Sequence, residues 1–408
     1  MEQLSLLNKF SPPHMATSAD LMNPLIPFDA AEALLEQLLQ EELENFDLLD
    51  IAPVTDTCFS AKWKLSSGLQ KGVRRGLVND AVRYAISYYR IDAASFWKRL
   101  PIIVLEDIGV ADPLTVAMTL AAARSTVWRK RVGGDELVIQ FLVKRMAGNT
   151  KDRSVADMCQ ILDNRTLPPE ALFLLKSAPP HELSALALSD HQPYEVRIAA
   201  LWMLCGTNRM QNAKLPHSTG SLDWFNRTVE EIKISGLAKY ITLRSMVACR
   251  GCSMNICYAF VWEMLQKSPY RRVVETELPE QFYIGGGIEQ AWDMHTRQGK
   301  AAYQHFYRAC EPVQNFLTGL GIVGTDAIIR AISVCVFICE SALLDKRIDF
   351  AGATEIYEMT VTDDFVKFGL NPEDGEVLTK LILENSETLR LSRQRVVTGT
   401  KHGPILTY

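Results

Sequence analysis

Apolar residues recur at three- and four-residue spacing along most of this chain, the period of helices that bury one face. The first clear case is Leu34, Leu35, Leu38, Leu39, Leu43 and Phe46, with Glu36, Glu41, Glu42 and Glu44 between them. This pattern predicts an acidic amphipathic helix. Asp29 to Glu32, just before it, has the outline of a capping box, although that box prefers Ser or Thr first. From Trp63 onward the spacing predicts helices over 67–75, 77–90, 92–109, 112–128 and 134–148, broken at Gly76, Gly109, Gly133 and Gly134. Pro101 lies inside the third and is expected to kink or split it. Shorter helices follow between Pro168, Pro169, Pro179, Pro180 and Pro193. Ile198, Ala199, Leu201, Trp202 and Leu204 predict a buried helix before Gly206, then a polar loop over 207–220. Further helices are expected near 221–247, 254–267, 287–317, 325–343 and 371–390. Alternating patterns are scarce, and the best, Arg271 to Glu277, is short. The predicted fold class is therefore all-α or nearly so. No fixed-period repeat is visible.

Composition narrows the class. The 408 residues are 48% hydrophobic and 22% charged, enough for two or three domains with real cores. No apolar run approaches the ~18–20 residues that span a bilayer, and no signal-peptide pattern is visible. Nine irregularly spaced cysteines read as reduced thiols, so the expected location is the cytoplasm and no membrane contact is expected. Cys249 and Cys252 have CxxC spacing, but no second pair completes a four-ligand zinc set, so no metal or other cofactor is expected.

Charge changes the picture more than composition does. The net charge is −5, yet residues 1–59 hold one Lys against eleven acidic residues, while 60–153 hold seventeen Lys and Arg against eight. Either the basic region meets phosphate or an acidic partner, or the two regions neutralise each other within one fold. Within it Arg124, Arg129, Lys130, Arg131, Lys144, Arg145, Lys151 and Arg153 form a candidate DNA-contacting set. Trp128 is its single interleaved aromatic, so base stacking is not indicated.

One stretch carries a family signature. Glu106-Asp107-Ile108-Gly109-Val110-Ala111-Asp112-Pro113 resembles the Glu-Asp-Ile-Gly-x-Ala-Asp-Pro segment of the bacterial MgsA/RarA-type clamp-loader-like AAA+ ATPases. Upstream, Leu69 to Gly76, Asp80, Ala81 and Tyr84 fit the same family. The match spans roughly residues 60–125. The resemblance implies a helical collar that assembles subunits and does no chemistry. Self-association and contact with replisome or clamp-loader subunits are what it would bring. No Gly-x-x-x-x-Gly-Lys-Ser/Thr phosphate loop occurs, so ATP hydrolysis is not carried over. Glu106 and Asp107, adjacent on a helix, point in different directions and read as bracing residues rather than a catalytic pair.

Two further motifs invite chemistry. Gln3, Leu4, Ser5, Leu6 and Leu7 resemble the bacterial sliding-clamp-binding peptide: leucines for an apolar cleft, Gln3 for its rim. Tyr283 to Gln290 is a glycine loop before a predicted helix, and with His295, Arg297 and Lys300 it makes a candidate anion site; the alternative is a turn and a solvated helix face. No catalytic residue is assigned.

The expected organisation is a tail over 1–28, an acidic helix and linker over 29–59, a clamp-loader-collar-like domain over 60–165, a second helical region over 166–395 and a loose end over 396–408. The expected function is a non-enzymatic accessory protein of bacterial or bacteriophage DNA replication, recombination or repair, tethered to the sliding clamp and contacting DNA. The alternatives are a protein that sequesters a host replication or defence protein, or an enzyme centred on Gly285 to Lys300.

Overall fold

The helical period in the sequence becomes helix almost everywhere. The computed structural model describes residues 17–54, 61–249 and 251–399, and within them the chain is all-α apart from two small antiparallel sheets. The acidic segment is α1 (Phe28–Glu44). The basic region follows as α2 (Lys62–Arg74), α3 (Val78–Ile91), α4 (Ala93–Asp107), α5 (Pro113–Arg124), α6 (Thr126–Arg131), α7 (Asp135–Gly148) and α8 (Ser154–Asn164). Shorter helices come next: α9 (Pro169–Ser177), α10 (Pro180–Leu188), α11 (Tyr194–Cys205), α12 (Leu222–Glu231), α13 (Gly236–Ala248) and α14 (Met254–Lys267). After strand β1 (Arg271–Glu275) and the two-residue strands β2 (Tyr283–Ile284) and β3 (Gly287–Ile288) come α15 (Arg297–Ala309), α16 (Glu311–Gly319) and α17 (Thr325–Val336). Strand β4 (Lys346–Phe350), α18 (Ala353–Lys367), α19 (Pro372–Glu384) and α20 (Ser386–Thr398) complete the described chain.

Several boundaries differ from the sequence reading. Helix α4 runs unbroken through Pro101, which is buried with Leu100, Ile103, Val104 and Leu105, so packing holds the helix where one backbone donor is lost. Asp29 does not cap α1: Pro27 occupies the cap position with no side-chain bond, and Asp29 and Glu32 lie inside the helix. The expected helix 221–247 is two helices. The expected helix 287–317 begins instead as β3 and a short 3-10 turn at Glu289–Ala291. The glycine loop is a hairpin, with Tyr283 opposite Ile288 and Ile284 opposite Gly287. Helix α20 runs through Thr398, into the expected loose end, of which residues 400–408 lie outside the described residues. The weak strand pattern at 271–277 does form a strand, paired with β4 from Arg271 opposite Phe350 to Glu275 opposite Lys346.

One apolar core extends from Leu21 to Ile356, and a second gathers α15–α17 and α18–α20 around Tyr303, Phe306, Ile332, Leu378 and Leu389. Helix α1 lies on α5, α7 and α13, burying Leu35, Leu39 and Leu43. Each buried leucine contributes roughly 1.5–3 kcal/mol, which outweighs any single exposed ion pair holding the same helix. Helices α2 and α3 pack closely because Gly72 has no side chain: a Cβ there would meet the Ala81 backbone at 3.1 Å. Among the described residues, no helix is long and apolar enough to cross a membrane.

Candidate functional site: a buried ionic joint and a basic surface

The Glu106–Pro113 signature folds as a joint between helices. Arg74, near the end of α2, is buried and donates from all three guanidinium nitrogens: Nε to Asp107 Oδ1 at 2.7 Å, Nη2 to Glu106 Oε1 at 2.8 Å and Nη1 to the Ser341 carbonyl at 2.8 Å. Arg153, just before α8, donates to the same Asp107 oxygen at 2.9 Å and to Glu106 at 3.4 Å. Gln70 donates to the other Asp107 oxygen at 2.9 Å, and Arg99 donates to Gln70 at 2.9 Å. Two adjacent carboxylates thus hold Gln70 and Arg74 from α2, Arg99 from α4 and Arg153 from the start of α8. Burial alone would raise the Glu106 carboxyl, but Arg74, Arg153 and Arg99 hold it well below the usual carboxylate range. Such a group stays ionised and is unsuited to carrying a proton in catalysis.

The rest of the signature has equally local reasons. Gly109 has φ +48°, and a Cβ there would meet Asp152 Oδ2 at 2.5 Å and its carbonyl at 2.8 Å. Asp152 uses its two oxygens to accept from Ser154 N at 3.2 Å and Val110 N at 3.3 Å, tying the turn to the start of α8. Asp112 caps α5 by accepting from Thr115 N at 3.0 Å, and Pro113 opens that helix. Arg75 donates to Gln281 at 3.0 Å and to the Pro279 carbonyl at 3.1 Å. Tyr84 accepts from Ile288 N at 2.8 Å.

The eight candidate DNA-contacting residues divide sharply. Arg124 pairs with Glu32 at 2.5 Å and Glu36 at 3.5 Å, and Arg145 pairs with Glu42 at 3.5 Å, so both bind the acidic helix α1. Arg129 is buried between Asp135 at 2.5 Å, the Ala122 carbonyl at 2.7 Å and the Trp97 ring. Lys151, also buried, reaches the Ala147 carbonyl at 2.7 Å and Asp345 at 2.8 Å. Arg153 belongs to the joint. Lys130, Arg131 and Lys144 remain exposed; Lys144 lies 5.1 Å from the Phe46 ring centroid, and Arg131 borders a cleft with Glu36, Glu41 and Glu44. The acidic and basic segments therefore neutralise each other in part within one fold. Glu32 and Glu36, one helical turn apart on α1, were the available signal for that docking.

In the 283–300 region part of the backbone is already hydrogen-bonded within the fold. The backbone amides at Ile288 and Glu289 donate to Tyr84 and to the Phe282 carbonyl. His295, Arg297 and Lys300 are exposed at the start of α15, whose cap is already supplied by Thr296 accepting from Gly299 N at 3.0 Å. Sequence reasoning missed the buried pair behind it, Lys71 with Asp293. Burial pushes the Lys71 amine down despite Asp293, while Lys71 holds the Asp293 carboxyl below its usual range against the effect of burial. Also missed was Arg393, fully buried between Glu289 at 2.8 Å and Glu340 at 2.7 Å.

The eight described cysteines are free thiols, and all but Cys252 are buried. Gln3 to Leu7 lie outside the described residues. No family model, curated protein or solved structure matches the chain.

Proposed function

We propose that this chain is a non-enzymatic accessory protein of bacterial or bacteriophage DNA replication, recombination or repair. Gln3, Leu4, Ser5, Leu6 and Leu7 dock on the sliding clamp, Lys130, Arg131 and Lys144 meet phosphate, and the collar-like helices form the body that self-associates or meets a replisome subunit in the cytoplasm. Clamp docking then acts as a tether that raises the local concentration of the body at DNA. The observation that supports this reading best is the use made of Glu106 and Asp107. Both carboxylates are engaged in bracing Arg74 and Arg153, as befits a signature that builds an assembly element rather than an active centre. The sequestering reading has less support, because α1 already turns its leucines and Glu32, Glu36 and Glu42 toward its own body.

The test is retention of the intact chain on circular DNA carrying a loaded bacterial clamp. Retention should vanish with Leu6→Ala/Leu7→Ala. On bare DNA, the triple variant Lys130→Ala/Arg131→Ala/Lys144→Ala should flatten the logarithmic salt dependence by about 2–3, close to 0.9 per phosphate contact. Retention that ignores the clamp, or a salt slope untouched by the triple variant, rejects this reading.

A further inference from the structure

Behind the joint, where α8, β4 and α18 meet, lies a cavity of about 210 Å³, ample for a molecule of several heavy atoms. Two helices end on it. Gln160 donates to Asp364, and Thr360 Oγ1 donates to the Asp157 carbonyl at 3.3 Å, so residue numbers rise together along α8 and α18. The helices run parallel, and residues of both first turns, Ser154 and Ala353 among them, line the same space. Their positive ends favour negative charge there.

Side-chain partners separate the polar groups of the wall. Asp152 and Arg153 line the cavity but are engaged, the first by two backbone amides and the second by Asp107 and Glu106. Arg347 has no such partner, and Asp157 has only a long ion pair with Arg153. Asp157 is only 5% exposed, accepts no hydrogen bond on its carboxylate, and has Arg153 Nε as its nearest cation at 4.0 Å, beyond hydrogen-bond reach. Arg347 makes no ion pair with any described residue; its guanidinium lies 5.8 Å from the Tyr357 ring centroid. Both charges act on the Tyr357 hydroxyl, which places them around one side chain of the cavity wall. Leu343, Leu344 and Ile348 supply an apolar wall.

A buried carboxylate that accepts no hydrogen bond, a guanidinium without an ion pair and an apolar wall are the complement of a small zwitterion with an apolar body. We infer that this cavity binds an apolar α-amino acid, with its ammonium on Asp157, its carboxylate on Arg347 and its side chain against Leu343, Leu344 and Ile348. Burial pushes the Asp157 carboxyl up to about 7 against the pull of Arg153, and an arriving ammonium would offset that cost. The inference is independent of the clamp reading.

The experiment is calorimetric titration of the intact chain with L-valine, L-leucine and L-methionine, beside leucinamide and 4-methylpentanoate, which lack the carboxylate and the ammonium respectively. At least one amino acid should saturate the chain below about 10 mM. Each analogue should bind about tenfold more weakly or worse, the scale of one lost charged hydrogen bond. Arg347→Gln removes no ion pair, so its circular dichroism should match the parent while amino-acid affinity falls about tenfold. Asp157→Asn should weaken the amino acid but not 4-methylpentanoate, an outcome that a folding defect would not give. No saturation by any of the three amino acids, unchanged affinity in Arg347→Gln, or 4-methylpentanoate binding as tightly as leucine would each overturn the inference.

Discussion

Two buried arginines hold two regions of this molecule, and they do so differently. Arg74 has an acceptor at every guanidinium nitrogen, two of them from the adjacent residues Glu106 and Asp107. Arg393, in the second core, pairs Nη1 with Glu289 and Nη2 with Glu340, while its Nε has no partner. In the first region two carboxylates serve several cations, so losing one carboxylate strands charges that cannot neutralise. In the second, one cation serves two carboxylates, which can take up protons if it is lost. The difference teaches that a buried ionic centre is vulnerable according to which partner is able to titrate.

The largest expected effect follows from that contrast. Asp107→Ala leaves Arg74 and Arg153 short of a buried counter-charge and should cost about 3–5 kcal/mol in urea unfolding near pH 7, if the variant folds. Arg393→Met should cost less at pH 5 than at pH 8. Burial already raises the Glu289 carboxyl, and without Arg393 its folded value rises further. Ionising Glu289 as pH climbs through its raised folded value then removes stability. Equal costs at both pH values would break the comparison.

Asp157 sharpens it. Its folded value of about 7 lies above the unfolded value near 3.9, so the charged form is disfavoured by folding. The loss of stability is absent below about pH 4, grows through pH 7 and is complete above it. Asp157→Asn should therefore gain up to about 4 kcal/mol at pH 8 and nothing near pH 4, read by unfolding at both. Gly109→Ala comes next: its φ of +48° and the approach of Asp152 should cost about 1–3 kcal/mol in the same assay. Arg124→Ala should be smallest, about 0–1 kcal/mol, because Arg124 is exposed and α1 is held chiefly by its leucines. A loss above about 2 kcal/mol would mean that charge, not burial, docks α1.

The same contrast explains what was legible in the sequence. Helices with an apolar stripe declare themselves by period, so the all-α class and most of 62–148 could be read directly. The bracing role of Glu106 and Asp107 was legible because the residues are adjacent and sit at a helix end before Gly109. Arg393, Glu289 and Glu340 come from distant segments with no shared pattern, and nothing local marks them as partners. Asp157 and Arg347 are likewise joined only by the pairing of β4 near Lys151 and the packing of α18 on α8. The basic set misled in part because charge spacing does not reveal burial. Arg129 and Lys151 look like Lys130 and Lys144 in sequence, yet they are closed inside ion pairs.

The central claim is that the joint maintains the body while Gln3 to Leu7 recruit it. The most direct measurement is the Kd of the intact chain for a bacterial sliding clamp, beside the Leu6→Ala/Leu7→Ala variant. The account predicts micromolar or tighter binding, about −8 kcal/mol, that disappears in the variant while the unfolding midpoint stays unchanged. No binding by the intact chain, or equal binding by both, would contradict it.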